Sequence, residues 1–466
     1  MKMIYQVSDR PGVSKTVVFA IQQLLAIMAA TLVVPIIVGN GMSPAAALFG
    51  AGVGTLVYLL FTKFRSPVFL GSSFAFLPSM AAAFAGAAST AVGYLGLIIG
   101  AILAGLVYVI IAIIVKFAGT EWINKLMPPV VIGPTVAIIG LSLAGNAIGD
   151  LQKGDVLTQV LNAETLKLEM VSTANPLLAI LCGLVTLFTV ILCSTYGKKM
   201  AKLIPFIIGI CAGYVVAAIF SVIGIATDNA ALQIIDFGYF SALWADGVSV
   251  STFVALPDFT FLTAFGAFGD FSLEYLGTIA VAYIPVAFVV FAEHIADHKN
   301  ISTIIEKDLL TDPGLSRTLL GDGVGSMAGA FFGGCPNTTY GESVACVAIT
   351  RNASVITIFF ASIGAILISF LSPFVAFVDS IPACVMGGVC VALYGFIAVS
   401  GLKMINGIDL GENKNLFVVS TILICGIGGL VINIGAVTIT AIAVALILGI
   451  LVNLLLKNAK SETTEE

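Results

Sequence analysis

Glu293 and Asp297 stand four residues apart in Phe291-Ala-Glu293-His294-Ile-Ala-Asp297-His298, so on a helix both carboxyl groups share one face. His294 and His298, the chain's 2 histidines, share the neighbouring face. Two more acids, Asp322 between Gly321 and Gly323 and Glu342 in Tyr340-Gly-Glu342-Ser343, interrupt apolar stretches. Acids in such stretches are costly and generally face an interior cavity, where they bind a ligand or move protons. Glu293 and Glu342 read as groups handling substrate or proton, and Asp297 joins Glu293 as a proton-coupling candidate. For His294, proton handling and a neutral helix contact stand level. His298, beside Lys299, reads as a solvated helix end, and Asp322 as structural.

The candidate region holds no Lys or Arg, which argues against a fixed anionic ligand. A neutral planar molecule with alternating N–H and C=O groups suits it better. Carboxylates accept from the N–H groups, backbone amides donate to the carbonyls, and Phe74 can cover a ring face. No nucleophile–base pair or metal-ligand cluster stands out, so no enzyme, metal or cofactor is expected; a buried acid able to bind a proton near neutral pH makes the proton the expected coupling ion. The 8 cysteines sit in or beside apolar stretches without C-x-x-C spacing and read as buried apolar side chains.

Such acids need a membrane around them. Of 466 residues 59% are apolar and 10% charged, with a mean hydropathy of +1.12. A soluble domain carries about 25% charged residues. The composition excludes a water-soluble fold and, lacking a basic face, a nucleic-acid partner. The partner is the lipid bilayer, crossed by helices of about 20 apolar residues. Strong candidates lie at 16–38, 43–63, 90–116, 127–147, 176–196, 203–225, 276–298, 354–376, 383–402, 413–432 and 437–456, and weaker ones at 68–83, 315–333 and 338–350. With all fourteen counted, every Lys and Arg except Lys153 and Lys167 falls on the cytoplasmic side, and both termini lie inside. The run at 16–38 reads as a retained span and not as a signal peptide. The outward connection 148–175 is polar with room for a short helix. The other, 226–274, holds acids and no Lys or Arg, and its apolar patches suggest that it lies on the membrane or the protein.

A repeat runs through this array. Pro128-Pro-Val-Val-Ile-Gly133 opens segment five and Pro382-Ala-Cys-Val-Met-Gly387 opens segment twelve. Segment three carries Pro67-Val-Phe-Leu-Gly71, and segment ten carries Pro336-Asn-Thr-Thr-Tyr-Gly341. Partners seven segments apart must run in opposite directions, which is the inverted repeat of secondary transporters. Segments three and ten are too short to cross. Each reads as a short strand after proline and then a half-helix after glycine, the strands pairing with each other. The fold class is thus an all-α polytopic membrane protein of two inverted seven-segment repeats, with strands before the half-helices.

At these residues the chain resembles the nucleobase–ascorbate transporter family, specifically its bacterial uracil permease branch. The resemblance is densest at Val68-Phe-Leu-Gly-Ser-Ser-Phe-Ala-Phe76, Ala292-Glu-His-Ile295, Lys307-Asp-Leu-Leu-Thr-Asp-Pro-Gly314, Pro336-Asn-Thr-Thr-Tyr-Gly-Glu342 and Ala348-Ile-Thr-Arg351. It implies a core domain of segments 1–4 and 8–11 (residues 1–118 and 275–376) and a gate domain of segments 5–7 and 12–14 (119–225 and 377–457). The extracytoplasmic loop 226–274 and the cytoplasmic tail 458–466 complete the chain. It also implies proton-coupled uracil import across the cell membrane, with a homodimer through the gate as one expectation. Glu293 and Glu342 would hydrogen-bond the base, Phe74 would stack near it, and Gly341 would offer backbone contacts. The alternatives are a xanthine or urate permease of the same fold, and an anion exchanger or channel on the same repeat. The chain departs from the family pattern at Ser343 and Ala345, where Asn and Gly are usual, at Asp297, where some members have His, and at Gln23, where His is frequent.

Overall fold

Serine, asparagine and proline mark where the apolar stretches begin to wind. Ser43 accepts from the Ala46 N–H ahead of Pro44, Asn175 from Leu177 ahead of Pro176, and Ser272 from Tyr275. Each side chain satisfies a first-turn amide that the helix leaves free, and proline loses nothing at the first position. The computed structural model describes residues 3–119, 122, 127–161, 168–198, 200–245, 247–434 and 437–458.

The longer helices are α1 (Val13–Val38), α2 (Pro44–Phe61), α3 (Leu77–Ala85), α4 (Thr90–Ala118), α5 (Pro129–Ser142), α6 (Ala144–Asp150), α7 (Pro176–Tyr196), α8 (Pro205–Ala226), α9 (Leu273–Ile305), α10 (Leu315–Gly333), α11 (Gly341–Thr350), α12 (Val355–Ile368), α13 (Ser372–Asp379), α14 (Ala383–Met404), α15 (Asn413–Ile427) and α16 (Ala441–Leu455). The strands are β1 (Leu70–Ser72), β2 (Leu157–Leu161), β3 (Leu168–Ser172), β4 (Asn337–Thr339), β5 (Ile432–Ile434) and β6 (Val437–Ile439). Among the described residues, 8 helices are long and apolar enough to cross a membrane.

The chain forms two compact units. One comprises Met1–Ser142, Pro257–Leu367 and Gly395–Glu466; the other comprises Leu143–Leu256 and Ile368–Tyr394. In the first, α2 and α10 cross so closely that a methyl group on Gly54 would stand 2.6 Å from Gly325 O, and one on Gly50 would strike Gly329 O. Small residues permit this approach, which wider side chains would forbid. Asn337 Nδ2 donates to Gly50 O (3.1 Å), fastening β4 to the crossing. Helix α3 is held to α9 by Ser79 Oγ, which donates to Ala282 O (2.7 Å), and by Tyr275 Oη, which donates to Ala83 O (2.6 Å). The aromatic patch of the long connection 226–274 lies on the protein, where Phe261 stacks on Phe331 of α10 at 4.8 Å.

In the second unit α7 packs along α8, and β2 pairs with β3 in antiparallel register, Leu157 opposite Ser172. That hairpin stands where the sequence suggests only a polar loop and a short helix. Its runs Leu157-Thr-Gln-Val and Leu168-Glu-Met-Val mix apolar and polar residues too briefly for a clear period. Strands also replace parts of two expected spans. The run 413–432 stops winding at Ile427 and 437–456 begins winding at Ala441, because β5 and β6 pair between them. Both strands are rich in β-branched residues, which suit a pleated strand. The run 354–376 is likewise two helices, broken ahead of Ser372-Pro373, where proline resists continuation. The expected tail beyond Asn458, with Lys125, Lys167 and Asp246, lies outside the described residues.

Candidate functional site

Pro67 and Pro336 each deliver an extended stretch into the first unit, and the two stretches meet. β1 and β4 pair antiparallel, with Leu70 opposite Thr339, Gly71 opposite Thr338 and Ser72 opposite Asn337. The Ser73 N–H extends the ladder to Pro336 O (2.9 Å). Thr55 of α2 closes one side, its Oγ1 accepting from the Leu70 N–H at 2.9 Å. Every backbone group satisfied this way removes a cost that an unpaired one would carry in hydrocarbon. Gly71 is required here: an added methyl would collide with the ring of Tyr340, whose Oη donates to Ser72 O (2.7 Å). Beyond the strands the chain turns at once into helix, through Phe74–Phe76 into α3 and from Gly341 into α11.

The carboxylates gather around the start of α11. Thr339 Oγ1 donates to Asp297 Oδ2 (2.9 Å), and a methyl placed on Gly341 would meet nothing nearer than Asp297 Oδ1, at 3.9 Å. Glu342 occupies the first turn of α11, where the helix dipole favours an anion. Glu293, Asp297 and Glu342 are close enough for their charges to interact. All three are half-buried, while Gly341 and Ala345 are exposed. Phe74 opens the turn after β1, is half-buried, and belongs to a segment packed on α9.

The next residue, Ser343, is a junction that sequence reasoning saw only as a departure. Its Oγ accepts from Gln23 Nε2 of α1 and from the Phe69 N–H (3.0 Å) at the approach to β1. Three separate stretches are thereby locked one residue from Glu342. Thr339 also escaped notice, because a threonine in a short β-prone run signals strand before it signals hydrogen bonding.

Behind the carboxylates the histidine face is sealed. Helix α9 runs unbroken to Ile305, so Glu293 lies well inside it. His298 is therefore no solvated helix end: it is fully buried, with Nδ1 2.9 Å from His294 O and Nε2 2.7 Å from Tyr58 Oη of α2. Hydropathy misplaced it because Lys299 and Asn300, both exposed, follow directly while the helix continues. His294 is equally buried, Nδ1 2.7 Å from Asp322 Oδ2 and Nε2 3.0 Å from Thr318 Oγ1. Asp322 thus has a titratable partner.

The assembly is rich in acceptors and in helix-start amides and, among its described residues, contains no Lys or Arg. Among the described residues no group of His, Cys, Asp and Glu could hold a metal ion. It can accept hydrogen bonds from a neutral ligand's N–H groups and donate backbone N–H to its carbonyls. Acids outside the spanning segments are shifted. Arg65 and Lys307, at 2.7 and 3.1 Å, hold the exposed Asp312 below the usual carboxylate range. Burial pushes Asp155 up to about 7, although its Oδ1 accepts from the Ala383 N–H (3.0 Å).

Comparison with known proteins agrees with this architecture. The uracil permease of Bacillus caldolyticus is 38% identical over 458 residues, covering 98% of this chain and 95% of that protein. The uracil permease of Escherichia coli (strain K12) is 34% identical over 453 residues, covering 97% and 93%. Among solved structures, the transmembrane domain of a cyanobacterium bicarbonate transporter, BicA, matches with a TM-score of 0.57 at 12% identity, over 96% of this chain and 100% of that one. The murine Solute Carrier 26 family member A9 anion transporter, inward-facing, matches with a TM-score of 0.63 at 9% identity, over 97% and 69%. Likeness at such low identity speaks for the fold alone. The Permease family model, Xan_ur_permease, matches residues 14–435. The chain belongs to this permease family, and so is a multi-pass membrane transport protein and not an enzyme.

Proposed function

We propose that the protein imports uracil, or a closely related nucleobase, together with protons across the cell membrane by alternating access. The observation that carries this reading is the trio of half-buried acids at the start of α11, with Asp297 held by Thr339, Glu342 in the first turn and Glu293 near enough for its charge to interact with both, built on the β1–β4 pair. Uracil presents two ring N–H groups and two carbonyls in one plane. Glu293 and Glu342 accept from the N–H groups, amides at the starts of α3 and α11 donate to the carbonyls, and Phe74 covers the ring. The uracil permease relatives, alike over nearly the whole chain, favour this base over xanthine or urate. Three neighbouring carboxylates without a Lys or Arg among them disfavour an anion exchanger, despite the shared fold.

Proton coupling follows from charge. Acids that are crowded together and half-buried cannot all stay ionised when a ligand displaces water from among them, so taking up base and proton together is favoured. In this reading the chain has fourteen segments in two inverted repeats, with both termini cytoplasmic. A core of segments 1–4 and 8–11 moves against a gate of segments 5–7 and 12–14, and the gate forms the homodimer contact. The test is uptake of labelled uracil by proteoliposomes under an imposed proton gradient. Uptake should vanish with an uncoupler and in Glu293→Gln and Glu342→Ala, and should resist excess xanthine. Full uptake by either variant overturns the site, and uptake indifferent to the uncoupler overturns the coupling.

A further inference from the structure

The hydrogen bonds behind the carboxylates determine where protons lie. Thr318 Oγ1 donates to Leu315 O (3.0 Å), which leaves a lone pair toward His294 Nε2 at 3.0 Å. His294 Nε2 therefore carries a hydrogen and donates it to Thr318. The other nitrogen, Nδ1, faces Asp322 Oδ2 at 2.7 Å, a separation at which two bare lone pairs would repel. One more proton must lie between them. It is the same proton whether drawn as an imidazolium beside a carboxylate or as neutral imidazole accepting from a carboxylic acid, and in both drawings the pair is neutral. Both side chains are wholly buried, so loss of that proton would leave an uncompensated negative charge away from solvent.

We infer that His294 and Asp322 share a single exchangeable proton and form a buried proton-holding site distinct from the carboxylates around Gly341. The inference deepens the proposed permease reading and rests on it for its role in transport, although not for its chemistry. The groups that face the pair are few. From α9 they are Glu293, Asp297 and His298, whose ring stacks on His294 at 4.0 Å. From α4 comes Tyr108, edge-on to His294 at 6.5 Å, and from α2 comes Tyr58, which bonds His298. From β4 comes Thr338, whose hydroxyl lies beside both Asp322 and Tyr108. Asp322 Oδ1, Thr338 Oγ1 and Tyr108 Oη are each buried without a well-formed hydrogen bond among the described residues. Thr338 sits next to the Thr339 that holds Asp297, so the strand under the accessible face touches the proton site with one residue and the carboxylates with the next. Releasing one proton leaves the pair with a single negative charge: the remaining ring hydrogen then lies on Nδ1 against the carboxylate, Nε2 accepts from the Thr318 hydroxyl, and the released proton leaves toward the acids of α9.

His298 supplies an internal reference. Its Nδ1 faces the His294 carbonyl, which only accepts, so His298 carries hydrogen on Nδ1. With 2 histidines in the chain, nitrogen-15 labelling of histidine alone gives a spectrum that a His298→Gln variant assigns. In the purified, detergent-solubilised wild type we expect His294 to show a protonated Nε2 and a strongly hydrogen-bonded Nδ1, and His298 a protonated Nδ1. In Asp322→Asn, His294 Nδ1 should become a plain acceptor while Nε2 stays protonated. A bare His294 Nε2 in the wild type overturns the inference, because Asp322 would then be a simple carboxylate. In proteoliposomes Asp322→Asn should lower proton-driven uracil accumulation by about tenfold or more while uracil exchange changes by less than about threefold. Unchanged accumulation also overturns it. If the wild type moves no uracil, the permease reading fails while the nitrogen spectrum still decides whether the pair shares its proton.

Discussion

Replacing Thr339 by valine removes one hydroxyl and little else. The side chain is fully buried in β4, opposite Leu70, and valine keeps its shape and its fitness for a strand. What is lost is the 2.9 Å donation from Oγ1 to Asp297 Oδ2. A hydrogen bond to a charged group contributes about 1.5–3 kcal/mol, which corresponds to about ten- to a hundredfold in an equilibrium constant. Asp297 is half-buried beside the open backbone of Gly341, so most of that loss should fall on ligand binding and less on folding. We expect the dissociation constant for uracil, read by calorimetry on purified protein, to rise about tenfold or more in Thr339→Val, with Thr339→Ser restoring most of it. The melting temperature without ligand should change little. Wild-type affinity in a folded Thr339→Val protein would refute the idea that Thr339 orients Asp297 for binding.

Other perturbations probe the supports around this contact. Gly71→Ala should cost about 1–3 kcal/mol of stability through collision with the Tyr340 ring, seen as a lower melting temperature, and an unchanged temperature would show that β1 and β4 are not held as described. Gln23→Leu removes the donor to Ser343 Oγ and should weaken uracil binding by about two- to tenfold, whereas unaltered binding would mean that the Phe69 N–H alone holds Ser343 in place. Asp155 supplies a pH test outside the membrane. Burial lifts its carboxyl from 3.8 to about 7 in the folded protein. Its contribution to stability is therefore full below the unfolded value and is lost as pH rises toward about 7. Asp155→Asn should flatten the fall in melting temperature over that window, and a slope equal to that of the wild type would refute the assignment.

Much of the architecture was legible because a bilayer simplifies the reading. Long apolar runs announce helices, and Ser-Pro and Asn-Pro pairs mark their starts at Pro44 and Pro176. The pairing of β1 with β4 was legible for a related reason. Backbone that does not wind must find partners in a membrane, and Pro67 and Pro336 declare two such stretches. What escaped depends on contacts between distant parts of the chain. His298 looks exposed from its neighbours Lys299 and Asn300, yet Tyr58, 240 residues away, bonds its ring. Asp322 offers only two flanking glycines as context, and its partner becomes visible only when α9 and α10 are laid side by side.

Gln23 and Ser343 make the same point from the opposite direction. Taken singly, each departs from the pattern that the resemblance implies, and each weakens the expectation for a proton pathway. Folded, the two meet, 320 residues apart in sequence. The long amide of Gln23 reaches the short hydroxyl of Ser343, and both side chains are buried. Because Ser343 follows Glu342 directly, this contact with α1 fixes the rotation of α11 about its own axis, and with it the direction in which Glu342 projects. Two independent losses should leave unpaired polar atoms in the interior, but these two satisfy each other. In this chain they act as one contact, and the Glu342 side chain beside them stays half-buried.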